Sequence, residues 1–247
     1  MTAEQLDYFD KEHNRNVILK ARQLGFTTEK CIMQVDSAIF ESKRCAMIAH
    51  TLPDARRLFR EKVKYAYDHL PDIIKQANPV IIETKEELVF KKGGSVSVST
   101  SFRGGTLQSL HVSEFGKICV KYPEKAREII TGAFEALGVD GIGTLESTAE
   151  GRQGRFFDIS QEAEKLALSG KELTKQDFKF FFYSWHQMPE YKMPVQPLPE
   201  RLINYFYKLE HTHGIKLTDE QKSWYYGKEK TLGADMKREY RSEEHTS

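Results

Sequence analysis

An α/β fold with a mainly parallel sheet flanked by helices follows from three observations. The apolar run Val17-Ile18-Leu19 passes through a short loop into a segment whose apolar residues, Cys31, Ile32, Val35, Ala38 and Ile39, recur at steps of three and four. Strand-like and helix-like segments alternate on both sides of a hairpin-like stretch, the pattern of a sheet whose crossovers are helices. The three stretches richest in chemically useful residues all lie at strand ends, where open α/β sheets bind ligands.

Composition bounds the problem. The 247 residues include 37 basic and 36 acidic side chains, a net charge of +1, so no histone-like basic coat is present, although a local basic track is allowed. At 39% hydrophobic the chain can build a core, and its length suits one large or two small domains. Cys31, Cys45 and Cys119 are widely spaced, show no metal or disulfide pattern and suit a reducing cytoplasm. No apolar run approaches the ~20 residues needed to span a bilayer. Glu4, Asp7 and Asp10 do not fit the basic-then-apolar order of a secretion signal.

The first sixteen residues are polar, with Leu6, Tyr8 and Phe9 as apolar members. Gln5 is either a surface residue of a helix or an adenine reader, since its amide both donates and accepts. Lys20-Ala21-Arg22-Gln23-Leu24-Gly25-Phe26-Thr27-Thr28 then forms the strand-to-helix loop. Such a loop gathers backbone N–H groups and the positive end of a helix at one point, where a phosphate binds. Gly25 permits close backbone approach. Thr27 or Thr28 offers a hydroxyl to magnesium, and Lys20 and Arg22 carry positive charge to phosphate.

Arg44 to His50 reads as a buried strand. Thr51-Leu52-Pro53-Asp54 reads as a helix start, with Thr51 as cap. Arg56, Arg57, Arg60, Lys62 and Lys64 on that helix either track a DNA backbone or form a solvated face interspersed with Asp54, Glu61 and Asp68. Val80–Ile82, Leu88–Phe90 and Val96–Val98 are strands, the last two flanking a turn at Lys91-Lys92-Gly93-Gly94. The run Leu110-His111-Val112-Ser113-Glu114 ends a strand in a carboxylate placed to orient or deprotonate an attacking water. A third candidate, Gly141-Ile142-Gly143-Thr144-Leu145-Glu146-Ser147-Thr148-Ala149-Glu150-Gly151, is an apolar strand ending in small hydroxyl residues and a glycine, with hydroxyls able to sense a terminal phosphate. Farther on, Phe178–Trp185 is a buried strand, four prolines from Pro189 to Pro199 mark an extended crossing, and helices follow around Leu202–Leu209 and Trp224–Tyr226. His211 and His213 have no third ligand near them and belong to a solvated loop.

Together, from about Gln5 to Tyr240, these residues resemble the large terminase subunit of tailed bacteriophages, the ATP-driven DNA-packaging motor. Lys20–Thr27 resembles its variant Walker A motif. Leu110–Phe115 resembles its Walker B motif with the adjacent glutamate, and Ser147–Gly151, followed by Gly154 and Phe157, its coupling motif. The resemblance implies a P-loop NTPase of the RecA-like type, with residues 1–185 as ATPase core. Residues 186–240 would be a lid or linker subdomain leading to a nuclease that is absent here. It implies an ATP site formed by Gln5, Lys20, Arg22, Gln23, Leu24, Gly25, Phe26, Thr27 and Thr28. Mg2+ would rest on Thr27, with Ser113 a candidate through water. Glu114, Lys20 and Arg22 would be catalytic, and Arg103 would act on the neighbouring subunit's nucleotide. Ser147, Thr148 and Gly151 would couple hydrolysis to motion. The implied partners are double-stranded DNA, the portal protein, the small terminase subunit and further copies of the chain in a ring, in the cytoplasm of an infected bacterial host.

Two departures stand out. Phe26 replaces the usual lysine, so Lys20 must serve the phosphates from the start of the loop. Ser113 replaces the usual aspartate and brings no negative charge to the metal. A nucleotide- or DNA-binding module without hydrolysis, or a helicase-like DNA-dependent ATPase, is the alternative. Residues 241–247 resemble the translation of a sequencing-library adapter, and are expected to be an artefactual tail rather than a native one.

Overall fold

The computed structural model describes residues 1–242. Helix α1 (Ala3–Lys11) is followed by β1 (Arg15–Lys20), α2 (Phe26–Phe40), β2 (Arg44–Ile48) and α3 (Leu52–Leu58), which runs through a π-helical segment, Phe59–Lys64, into α4 (Tyr65–Asp68). Next come α5 (Asp72–Ala77), β3 (Val80–Glu83), β4 (Glu87–Phe90), β5 (Ser95–Ser99), β6 (Leu107–Val112), α6 (Phe115–Lys121) and α7 (Pro123–Glu128). A second π segment, Ile129–Ala133, leads to β7 (Leu137–Ser147), α8 (Arg155–Leu168) and β8 (Phe178–Tyr183). The last helices are α9 (Glu200–His213), α10 (Asp219–Leu232) and α11 (Met236–Glu239).

The sheet order is β3-β4-β5-β2-β6-β7-β1-β8. Neighbours from β5 to β8 are all parallel, whereas β4 pairs antiparallel with both β3 and β5. The expected hairpin is thus β4–β5, closed by the bond from Phe90 N to Gly94 O. In this order β7 lies between β1 and β6, so its carboxyl end sits between the β1–α2 loop and Glu114.

The parallel strands are covered on both faces, and therefore read as continuous apolar runs. Their period-two alternation sorts them between cores. Val17 and Leu19 join Ala46 and Ile48 against α6, α7 and α8, whereas Cys45 and Met47 face α2, α3 and the π segment. Ile18 enters an aromatic cluster with Tyr8, Phe26, Phe181, Trp185, Phe206, Trp224 and Tyr225, which seats residues from α9 and α10 on the sheet. Trp185 stacks on Trp224 at 5.1 Å between ring centres.

Two expectations need refinement. Ile32 does not join the buried stripe of α2 but is 54% exposed, because that side of the helix is left to solvent while Glu29, Lys30 and Gln34 turn inward. Lys30 is buried against α1, bonded to Tyr8 Oη at 3.1 Å and paired with Glu12. Four of the five basic residues after Thr51 form salt bridges: Arg56 pairs with Glu86, Arg57 with Asp54, Arg60 with Glu61, and Lys64 with Asp68 and Glu83. The Thr51 cap forms as expected, its hydroxyl accepting from Asp54 N.

Of the suspected tail, Arg241 and Ser242 pack into the structure. Ser242 Oγ accepts from Trp185 Nε1 at 2.8 Å and from Tyr205 Oη at 3.1 Å. Glu243 to Ser247 lie outside the described residues. Among the described residues no helix is long and apolar enough to cross a membrane.

Candidate nucleotide site

The loop between β1 and α2 is shaped by two left-handed residues, Gln23 (φ 63°) and Gly25 (φ 78°). Gly25 precedes the first turn of α2, no side chain caps that turn, and Thr28 N–H already donates to Gly25 O at 3.0 Å, so the amides ahead of Thr28 are the ones open to an anion. A Cβ at Gly25 would stand 2.7 Å from Gln5 Nε2, which ties α1 to the loop. Gln5 Oε1 accepts from Thr2 N at 2.8 Å, leaving the amide NH2 on the loop side.

Phe26 is fully buried, stacked on Tyr183 at 4.8 Å and edge-on to Tyr8 at 5.9 Å. The residue at the customary lysine position thus belongs to the aromatic core. Leu24 is buried too, whereas Thr27 and Thr28 are partly exposed. Lys20, 5% exposed at the end of β1, holds its Nζ 4.0 Å from Glu114 Oε1, and Lys117 Nζ lies 3.4 Å from Glu114 Oε2. Glu114 occupies a left-handed conformation (φ 55°, ψ 42°) at the strand-to-helix corner from β6 to α6. For a residue with a Cβ that is strained backbone, of the kind that collects at functional sites.

The structure adds a residue that the sequence motifs did not single out. Glu146, fully buried near the end of β7, accepts hydrogen bonds from Thr27 Oγ1 and, at 3.2 Å, from Ser113 Oγ, both on Oε1. His111 Nε2 lies 3.6 Å from the same oxygen. Oε2 has no partner. Burial pushes this carboxyl up, but the Lys20 charge, His111 and the Thr27 hydroxyl outweigh it and hold the group at about 2, hence ionised. The available signal was a carboxylate directly after Leu145 at the end of the expected strand, but its significance depends on strand order.

Ser147 and Thr148 are buried with unpartnered hydroxyls. Ser147 backs onto α6: a Cβ at Gly116 would meet its Oγ at 2.7 Å, two residues after Glu114. Gly151 turns the following loop at φ 91°. Two other expected residues make their contacts away from Lys20 and Glu114. Arg22 is exposed, with its guanidinium 3.7 Å from Glu239 and its N–H bonded to Glu239 O. Arg103 is exposed and paired with Glu128 at 2.8 Å. A cavity of about 300 Å3 opens beside Thr27, Ser113 and Glu114, with Arg57, Lys62 and Lys117 among its walls. No group of three His, Cys, Asp or Glu side chains among the described residues is placed to hold a metal.

A basic residue ending β1, a start of α2 that no side chain caps and a carboxylate following β6 thus meet at the carboxyl ends of the parallel strands. The fold is shared with solved ATPase domains of large terminases. The large terminase ATPase domain of Thermus phage P74-26 superimposes with a TM-score of 0.58, at 17% identity, covering 97% of this chain and 92% of that one. An arginine-to-alanine mutant of the same domain gives 0.63 over the same shares. The large terminase of a thermophilic bacteriophage, in complex with ADP, gives 0.50 at 12% identity, covering 90% of this chain and 52% of that one, so this chain spans about half its length. No family model and no curated protein matches the sequence.

Proposed function

We propose that the chain is the ATPase region of a DNA-packaging motor, hydrolysing ATP to drive double-stranded DNA into a procapsid. The observation that carries this is the convergence of Lys20, Thr27 and Glu114 from three separate elements, with Lys20 and Glu114 4.0 Å apart. The triphosphate lies on the amides of the Gln23–Thr28 loop, with Gln5 beside the adenine. Lys20 exchanges Glu114 for phosphate oxygen, and Arg22 adds charge by exchanging Glu239. Glu114, freed from Lys20, accepts a proton from water as the water oxygen bonds to the γ-phosphorus. The bond from that phosphorus to the β–γ bridging oxygen breaks, leaving ADP and inorganic phosphate. Positioning and electrostatics supply most of the rate in such transfers.

The hard hydroxyl oxygen of Thr27 suits magnesium, which when bound would neutralise charge on the phosphates. Thr27 would hold it directly. Arg103 supplies positive charge to the site of an adjacent subunit, a contribution worth about 10³-fold or more where it operates. Ser147, Thr148 and Gly151 pass the loss of phosphate to the C-terminal segment. Portal protein, small terminase subunit and a ring of identical chains are the corresponding partners.

Glu114→Gln tests the chemistry. Phosphate release should fall by about 10²–10⁴-fold while ATP binding is kept, since one positioned acid–base group is lost. Hydrolysis at the parent rate would remove Glu114 from its role. Parent protein that binds ATP yet releases no phosphate, even with DNA, would instead identify a non-hydrolysing module.

A further inference from the structure

Ser113 leaves the site without a carboxylate on β6, yet the site does not lack one. We propose that Glu146, on the adjacent strand, takes that place: through the Thr27 hydroxyl and cation-bound water, it positions the divalent cation of the nucleotide. This inference rests on the nucleotide reading of the loop.

Strand order makes the substitution possible. Because β7 separates β1 from β6, with Leu145 in register with Val112 and Glu146 with Ile18, the Glu146 side chain reaches both the end of β6 and the start of α2. It touches Thr27 and Ser113 at once. Thr27 donates its only hydroxyl proton to the carboxylate, which leaves the oxygen's lone pairs for a cation. That is an orienting role, exercised through Thr27, rather than direct ligation.

Two further observations fit. Burying an ionised carboxylate with one oxygen unpaired is costly, and Oε2 of this 0% exposed residue has no partner. A cation-bound water would satisfy it. The short hydroxyl at Ser113 also makes room. An aspartate there would set a second negative charge against Glu146, and two carboxylates in one buried site oppose each other's ionisation. Serine at 113 and glutamate at 146 are therefore one arrangement: a single charge, moved one strand over.

The test measures Mn2+ binding by electron paramagnetic resonance in the presence of ADP, alongside ADP binding in EDTA. Parent, Glu146→Gln, Ser113→Asp and the Ser113→Asp/Glu146→Gln double variant are compared. Glu146→Gln should bind ADP in EDTA like the parent but lose Mn2+ affinity by about 10–100-fold, the usual effect of removing an outer-shell partner. The double variant should regain most of that loss, and the cycle should be strongly non-additive. Unchanged Mn2+ affinity in Glu146→Gln, or no recovery in the double variant, would overturn the inference. So would an equal loss of ADP in EDTA, which marks a purely structural role. If Glu146→Gln does not fold, Glu146→Asp replaces it: the charge withdrawn by one methylene should cost a smaller part of the affinity, and no loss overturns the proposal. A parent that binds no ADP at all refutes the nucleotide reading itself.

Discussion

Phe26 shows how a departure from a motif at a single residue is resolved by packing. Its ring is wedged between Tyr8 and Tyr183 and has no solvent exposure. Restoring the customary residue with Phe26→Lys should therefore not repair the site. It should remove a core aromatic and bury an ammonium, at a cost of about 3 kcal/mol or more. At roughly 2–4 °C per kcal/mol for a chain of this size, the thermal midpoint should fall by about 6–12 °C, with no gain in ATP affinity. A calorimetric scan checks it, and an unshifted midpoint would show that the ring is dispensable. Lys20, by contrast, is a basic residue buried at a strand end beside a carboxylate, a position that packing alone does not require.

Among the elements, α6 and the end of β7 are fitted together at Gly116. The Cβ of an alanine would lie 2.7 Å from Ser147 Oγ and 3.1 Å from Glu150 Cγ, the first a distance that real contacts do not allow. Gly116→Ala should push the helix from the strand end and shift Glu114, which immediately precedes the same helix. kcat should fall about tenfold or more while the nucleotide dissociation constant, set by the loop before α2, changes little, because small misplacements of a reacting group cost rate steeply. Equal losses in both would mean that β7 supports the whole site rather than Glu114. The loop after β7 has a second attachment: Glu150 lies 3.6 Å from Arg238 of α11, while Arg22 of the β1–α2 loop contacts Glu239 of the same helix, so α11 touches both loops.

For the molecule as a whole, strand existence and helix starts were legible because they depend on local pattern. Val17–Leu19, the Thr51 cap and the β4–β5 turn all stand where periodicity and turn chemistry put them. The three strand-end loops were legible for the same reason. Ile32 was not, because periodicity identifies an apolar stripe but not which helix side a neighbour covers. Glu146 was not, because its importance comes from β7 lying between β1 and β6, a long-range arrangement that no window of sequence contains. Arg103 has a side chain 69% exposed and paired with the surface residue Glu128, and its proposed action on a neighbouring subunit's site is tested by mixing. Arg103→Ala mixed with Glu114→Gln should give phosphate release that departs from the average of the two variants. Strict averaging at all ratios would mean that each subunit hydrolyses alone.

The central claim concerns where the phosphates sit, and a crystal structure with Mg2+ and a non-hydrolysable ATP analogue addresses it directly. The γ-phosphate should lie within hydrogen-bond reach of Lys20 Nζ, cradled by the amides before α2, with the cation at Thr27 and Glu114 turned toward the phosphorus. An analogue bound elsewhere on the molecule, or a loop left empty at saturating analogue, would contradict the account.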